Sequence, residues 1–153
     1  MNPFNLNENE LTAEWASLRN GLKSKELSEQ LTDTARWWAQ CPFTNWTCDP
    51  NDPSTWITPW EMFHEGVYCK TAIAIGMFLT LEYGGISTER LRLTMTRNKQ
   101  DGERVLVVIV DDEYVLNYDH AEVTKLEEIE DCLVGLKQIV KNNNYFEIRD
   151  MVK

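Results

Sequence analysis

The residues of this chain best suited to nucleophilic chemistry are Cys69 and two histidines, His64 and His120. Cys69 stands just after Gly66, where an apolar run begins, so its thiol is placed at the start of a helix. The positive end of a helix favours the thiolate, which is the nucleophilic form of cysteine. A working thiol also needs a base within hydrogen-bond reach and a third group that orients the base. His120 follows the last of three expected strands, and His64 lies on a separate short helix before the cysteine. Other residues suit binding rather than reaction. Five of the six tryptophans fall between Trp37 and Trp60. Trp46 and Trp56 sit in a turn-rich stretch as candidate contacts for a partner, whereas Trp37 or Trp38, and Trp60, are expected in the core.

The elements that must position these groups can be read from periodicity. Leu11, Trp15, Leu18 and Leu22 recur at helical spacing, as do Leu27, Leu31, Ala35 and Trp38, which predicts helices over 11–22 and 25–40. Pro42 to Thr58 is rich in turn residues and reads as an ordered loop pinned by aromatic side chains. Thr58-Pro59-Trp60-Glu61 carries the signature of a capping box with proline in the first helical position. The next helix should run from Tyr68 to Tyr83 and stop at Gly84-Gly85. From Ala72 to Leu81 it has no polar face, so it must be surrounded, with Gly76 leaving room for close packing. Leu91, Leu93 and Met95 then alternate with polar residues, and Val105 to Val110 is a β-branched run covered on both faces. With Tyr114 to Tyr118 these segments predict a three-stranded antiparallel meander. A helix is expected over 124–140, followed by a tail. Helices first and a sheet second make an α+β domain. One domain over 1–153 accommodates all of this: a helical layer and loop over 11–58, a core over 59–123, and a C-terminal helix and tail over 124–153.

Composition narrows the function. The 153 residues carry 25 acidic and 15 basic side chains, a net charge of −10. Such a balance argues against nucleic acid or an anionic membrane as partner. The longest apolar run, 72–81, is about half of the ~20 residues that a bilayer span needs. Residues 1–10 have no basic region and no apolar run, so no secretory signal is expected, and the four cysteines read as reduced thiols of a cytosol-like compartment. No cofactor and no metal are expected. There is no CxxC pair, His64 and His120 are not at zinc spacing, and the acidic runs 111–113 and 127–131 lack a calcium-loop pattern. Asn45-Trp46-Thr47 matches a glycosylation triplet, which is expected to be a chance match if the chain is not secreted. Arg90, Arg92, Arg97 and Arg104 are expected along one side of the sheet, facing acidic groups of a partner or of the chain itself.

The order of these elements resembles the core of the bacterial transglutaminase-like cysteine proteinases, over about Trp60 to Val123. The likeness rests on Gly66-Val67-Tyr68-Cys69 at the helix start, Glu89-Arg90-Leu91-Arg92-Leu93, the Val-Leu-rich strand, and Tyr114-Val115-Leu116-Asn117. It implies a transglutaminase-like (papain-like) core, a buried helix on the meander with an N-terminal helical layer. Aligned on Ala72, the family's cysteine falls on Tyr68, one residue before Cys69. Its histidine falls on Glu103 and its aspartate on Asn117. An amide can orient a base, so Asn117 suits that role, but a carboxyl group with a pKa of about 4 suits a thiol poorly as its base. The Trp-rich front half with Pro59-Trp60-Glu61 also resembles small proteins of large contractile-tailed phages. On that resemblance the first expectation is a non-catalytic structural or assembly protein of a tailed phage, in the virion, tail or baseplate. Its partners would be other phage proteins, met in the host cytoplasm or the particle. The alternative is a cysteine-dependent peptidase, amidase or acyltransferase using Cys69, with His120 or His64 as base and Asn117 as orienter.

Overall fold

The computed structural model describes residues 2–44, 49, 52–99, 102–142 and 145–150, with backbone alone for 134–142 and 145–150. Four helices precede a sheet. Helix α1 (Glu8–Leu22) and helix α2 (Leu27–Ala39) form the N-terminal layer. The short α3 (Pro59–Glu65) follows, then α4 (Lys70–Tyr83). Strands β1 (Leu91–Arg97), β2 (Arg104–Val110), β3 (Tyr114–Leu116), β4 (Thr124–Lys125), β5 (Leu133–Asn142) and β6 (Tyr145–Asp150) make one sheet in the order β4-β3-β2-β1-β5-β6, and every pairing is antiparallel.

Residues 71–81 of α4 are buried without interruption, as their apolar composition requires. One side of α4 meets α1 and α2, and the other lies on the face of the sheet formed by Leu91, Leu93, Met95, Leu106, Val108 and Val110. Burying each large side chain of such a helix stabilises the fold by about 1.5–3 kcal/mol. Contacts of this kind therefore outweigh any weakness of the helix ends. Gly84 and Gly85 close α4: Gly85 takes a φ of 108°, and the Ile86 N–H donates back to the Leu81 carbonyl at 3.0 Å. No helix among the described residues is long and apolar enough to cross a membrane.

The opposite face of β2 is also covered. Val105, Val107, Ile109 and Val115 form a second cluster beneath Leu126 and Ile129. The expected C-terminal helix over 124–140 does not form. Leu126–Glu128 and Glu130–Cys132 are two single 3-10 turns that roof this cluster, and β5 then pairs with the edge of β1 that β2 leaves open. The physical reason is that β1 is buried along both Thr94 and Thr96, so its free backbone groups need partners. A helix at 133–142 would leave them orphaned and would carry Gly135 at a cost of about 1 kcal/mol. The meander is accordingly half of a six-stranded sheet.

Local chemistry at two turns follows the sequence closely. Thr58 and Glu61 form a reciprocal capping box at α3, with Pro59 in the first turn. Thr58→Ala should lower stability by about 1 kcal/mol in chemical denaturation, with Thr58→Ser close to wild type. Arg90 makes a two-pronged ion pair with Asp111, both contacts at 2.7 Å, and Arg92 reaches Asp112 at 3.0 Å. Thus Arg92 on β1 and Arg90 just before it answer the chain's own acidic turn.

The tryptophans divide differently from expectation. Trp38 is completely buried, but Trp60 is 43% exposed and packs edge-on against Trp15. Proline in the first turn and the capping box orient α3 so that Met62 and Phe63 enter the core, which leaves the side of the helix bearing Trp60 outermost.

Candidate active site at the start of the central helix

Gly66 ends α3 in the left-handed conformation, φ 66°, and turns the chain into the extended residues that precede α4. Cys69 is the N-cap of α4, and its Sγ accepts from the Ala72 N–H at 3.4 Å. Cysteine is not among the side chains that cap helices well. The first turn of α4 holds no acidic residue and opens on Lys70. Both the helix end and the lysine favour negative charge on an atom placed there.

Asn117 joins the sheet to this end of α4. Its φ is 73°, in the left-handed region that asparagine tolerates better than most residues. Its Nδ2 donates to the Lys70 carbonyl at 3.0 Å and to the Leu106 carbonyl at 2.9 Å. Both acceptors are carbonyl oxygens, so the amide orientation is determined and both of its hydrogens are committed. The Oδ1 is left as an acceptor. Three residues on, the turn brings His120 to a cavity of about 220 Å³ lined by Lys70, Asn117, Tyr118, Asp119 and His120 on its polar side. Trp38, Ala39, Cys41, Phe43, Ile73, Met77 and Ala121 line the rest.

Two thiols therefore lie at this end of the helix. Cys41 lines the cavity, whereas Cys69 stands beside it, next to the lining residue Lys70, and is 7% exposed. Burial pushes the Cys41 thiol well above its ordinary value, with Cys69 adding to the effect. It also pushes the Tyr68 phenol up to about 12. Cys41 and Tyr68 stay protonated at neutral pH, and of the two thiols Cys69 is the one that caps the helix. The segment carrying Cys41 is fastened alongside. Thr44 N–H donates to the Tyr68 carbonyl at 3.1 Å, and the Tyr68 N–H donates to Thr44 Oγ1 at 3.0 Å.

The other candidates fall elsewhere. His64 pairs with Glu8 at 3.0 Å, which raises its pKa, and it lines a separate hollow with Ile57, Trp60, Glu61, Glu65 and Val67. Glu103, on which the sequence resemblance places the base, is exposed just before β2. It lies three residues, or about 10 Å of strand, from the Leu106 carbonyl that holds Asn117. Tyr68 is buried before the helix begins. Trp56 is half-buried against the core, its Nε1 donating to the Asp49 carbonyl at 2.8 Å, and Trp46 lies outside the described residues. Among the described residues no group of three or more His, Cys, Asp or Glu side chains could hold a metal ion. Cys41, Cys69 and Cys132 form no disulfide among the described residues. Cys41, Lys70 and Phe43 had no signal in the spacing of the sequence, because the chain reaches the cavity from three separate elements.

Structures of LapG from Legionella pneumophila match the fold over nearly the whole chain. The calcium-bound form has a TM-score of 0.68 at 20% identity, covering 89% of this chain and 76% of LapG. A second LapG structure gives 0.67 at 22% identity with the same coverage. The EGTA-treated form gives 0.68 at 21%, covering 92% of this chain and 76% of LapG. The protein has a transglutaminase-like fold. No protein-family model matches the sequence, and no curated protein matches it. A likeness at this identity speaks for the transglutaminase-like architecture and leaves the chemistry to the site itself. The matched structures are bacterial and contain nothing that points to a phage.

Proposed function

We propose that this protein is a cysteine-dependent peptidase, amidase or acyltransferase in which Cys69 is the nucleophile, His120 the base and Asn117 the orienting group. What supports the reading is Cys69 at the cap of α4, Asn117 tied to the Lys70 carbonyl beside it, and His120 lining the same cavity as Lys70 and Asn117. In the reaction, His120 takes the thiol proton and Cys69 Sγ attacks the substrate carbonyl carbon. The C–N bond then breaks, and the amine leaves with the proton that His120 returns. Water, or an amine in acyl transfer, gives up a proton to His120 and attacks the thioester, and the acyl group leaves Cys69. The Asn117 Oδ1, with both amide hydrogens held elsewhere, is the acceptor that can align the imidazole.

The pH dependence of iodoacetamide alkylation at each cysteine, read by peptide mass mapping, tests this reading. Cys69 should react in the folded protein with an apparent pKa below the ordinary thiol value of about 8.5. His120→Ala should move that pKa upward, and Cys69→Ser should abolish cleavage of a mixed peptide library. A Cys69 that stays unreactive until denaturation, or a pKa indifferent to His120, overturns the proposal.

A second reading keeps the fold for binding without catalysis, as in the phage structural role expected from sequence. It is favoured by one observation, the placement of Glu103 where the resemblance calls for histidine. Unreactive Cys69 together with peptide binding would select it.

A further inference from the structure

Resting on the catalytic reading, we infer that the cavity beside Cys69 is a specificity pocket for one large apolar side chain of a peptide or amide substrate. Its volume, about 220 Å³, is below the roughly 300–1,000 Å³ of a site for a drug-sized molecule. It accommodates one side chain and little more. Its two ends differ in chemistry. Trp38, Ala39, Ile73 and Met77 make an apolar floor, and Phe43, 58% exposed, continues that apolar surface to the mouth. The polar residues Lys70, Asn117 and His120 line the same cavity, and Lys70 directly follows Cys69 at the start of α4.

The floor is also rigid. Trp38 is completely buried, its Nε1 donates to Thr80 Oγ1 at 2.9 Å, and its ring lies over Gly76. A pocket held in this way does not collapse around a small residue. An alanine in the substrate would leave most of the floor without contact, whereas Leu or Phe fills it and removes its own surface from water.

Binding of blocked tetrapeptide amides differing only in one residue, Ala, Leu or Phe, can be measured by calorimetry on the Cys69→Ser protein, which cannot turn them over. The Leu and Phe peptides should bind at least tenfold more tightly than the Ala peptide. Ala39→Phe fills the pocket and should cancel the preference. Phe43→Ala, a surface change that leaves the core untouched, should weaken it several-fold and serves if the filled variant does not fold. Equal binding of the three peptides, or a preference that neither substitution alters, overturns the inference even if Cys69 proves reactive. A preference that both substitutions alter, beside an unreactive Cys69, upholds the pocket and removes only the catalytic role.

Discussion

Thr80→Val is expected to lower the unfolding free energy by about 2–5 kcal/mol, a large fraction of the roughly 5–15 kcal/mol that holds a domain together. The valine is nearly the same shape as threonine, so packing changes little. Hydrogen bonding changes a great deal. The Thr80 hydroxyl accepts from Trp15 Nε1 at 2.8 Å and from Trp38 Nε1 at 2.9 Å, and donates to the Gly76 carbonyl at 2.6 Å. That uses the full capacity of a hydroxyl, two lone pairs and one proton. All three residues involved, Trp15, Trp38 and Thr80, are completely buried. Removing the oxygen strands two indole N–H groups with no water to take them, at about 1–3 kcal/mol each. For a domain of this size each kcal/mol is worth roughly 2–4 °C, so a fall in Tm of order 10 °C is expected in calorimetry. Thr80→Ser keeps the oxygen and should recover most of the loss. If Thr80→Val and Thr80→Ser are equally stable, the hydroxyl carries no such weight.

Gly76→Ala should destabilise the protein as well, against the sign that helix propensity predicts. In an exposed helix the change would add about 1 kcal/mol of stability. At Gly76, however, a new Cβ would meet two atoms of the Trp38 ring at 2.5 Å. The ring cannot swing away, since it is completely buried and its nitrogen is bound to Thr80. Overpacking of this kind costs typically 1–3 kcal/mol and sometimes more, so the clash outweighs the propensity gain. Urea denaturation should show a net loss of up to about 2 kcal/mol, near the upper end because the ring is held in place. A stabilised Gly76→Ala protein would mean that α2 and α4 can separate slightly without penalty.

How much of this was legible in the sequence depended on whether a signal was local. The buried helix announced itself through an apolar run with no polar face, and Gly76 within it marked the close approach of another element, which proves to be Trp38. The Thr58 capping box was equally plain, because its partners are three residues apart. The segment after 124 was not. Its acidic residues and spaced leucines suit a helix until one knows that β1 has an open edge, which is a property of the assembled sheet. Trp60 was misplaced for a related reason, since the face that a seven-residue helix buries is decided by what it docks against. At the site, Cys69 could be singled out from its place at a helix start. The hold of Asn117 on the Lys70 carbonyl joins positions 47 residues apart, and Cys41 enters through a segment fastened to Tyr68. Neither leaves a trace in spacing.

The single hydroxyl at Thr80 also imposes an order on synthesis. Trp15 lies 65 residues ahead of its acceptor and Trp38 lies 42 ahead. At about 5–20 residues per second, the α1 segment waits roughly 3–13 s on the ribosome before Thr80 has even been made. During that interval its indole N–H lacks the acceptor it has in the folded protein. The N-terminal layer is thus the first part of the chain to be translated but cannot be completed until α4 has been made, and a nascent chain stalled before Thr80 should present its tryptophans to whatever chaperone meets it.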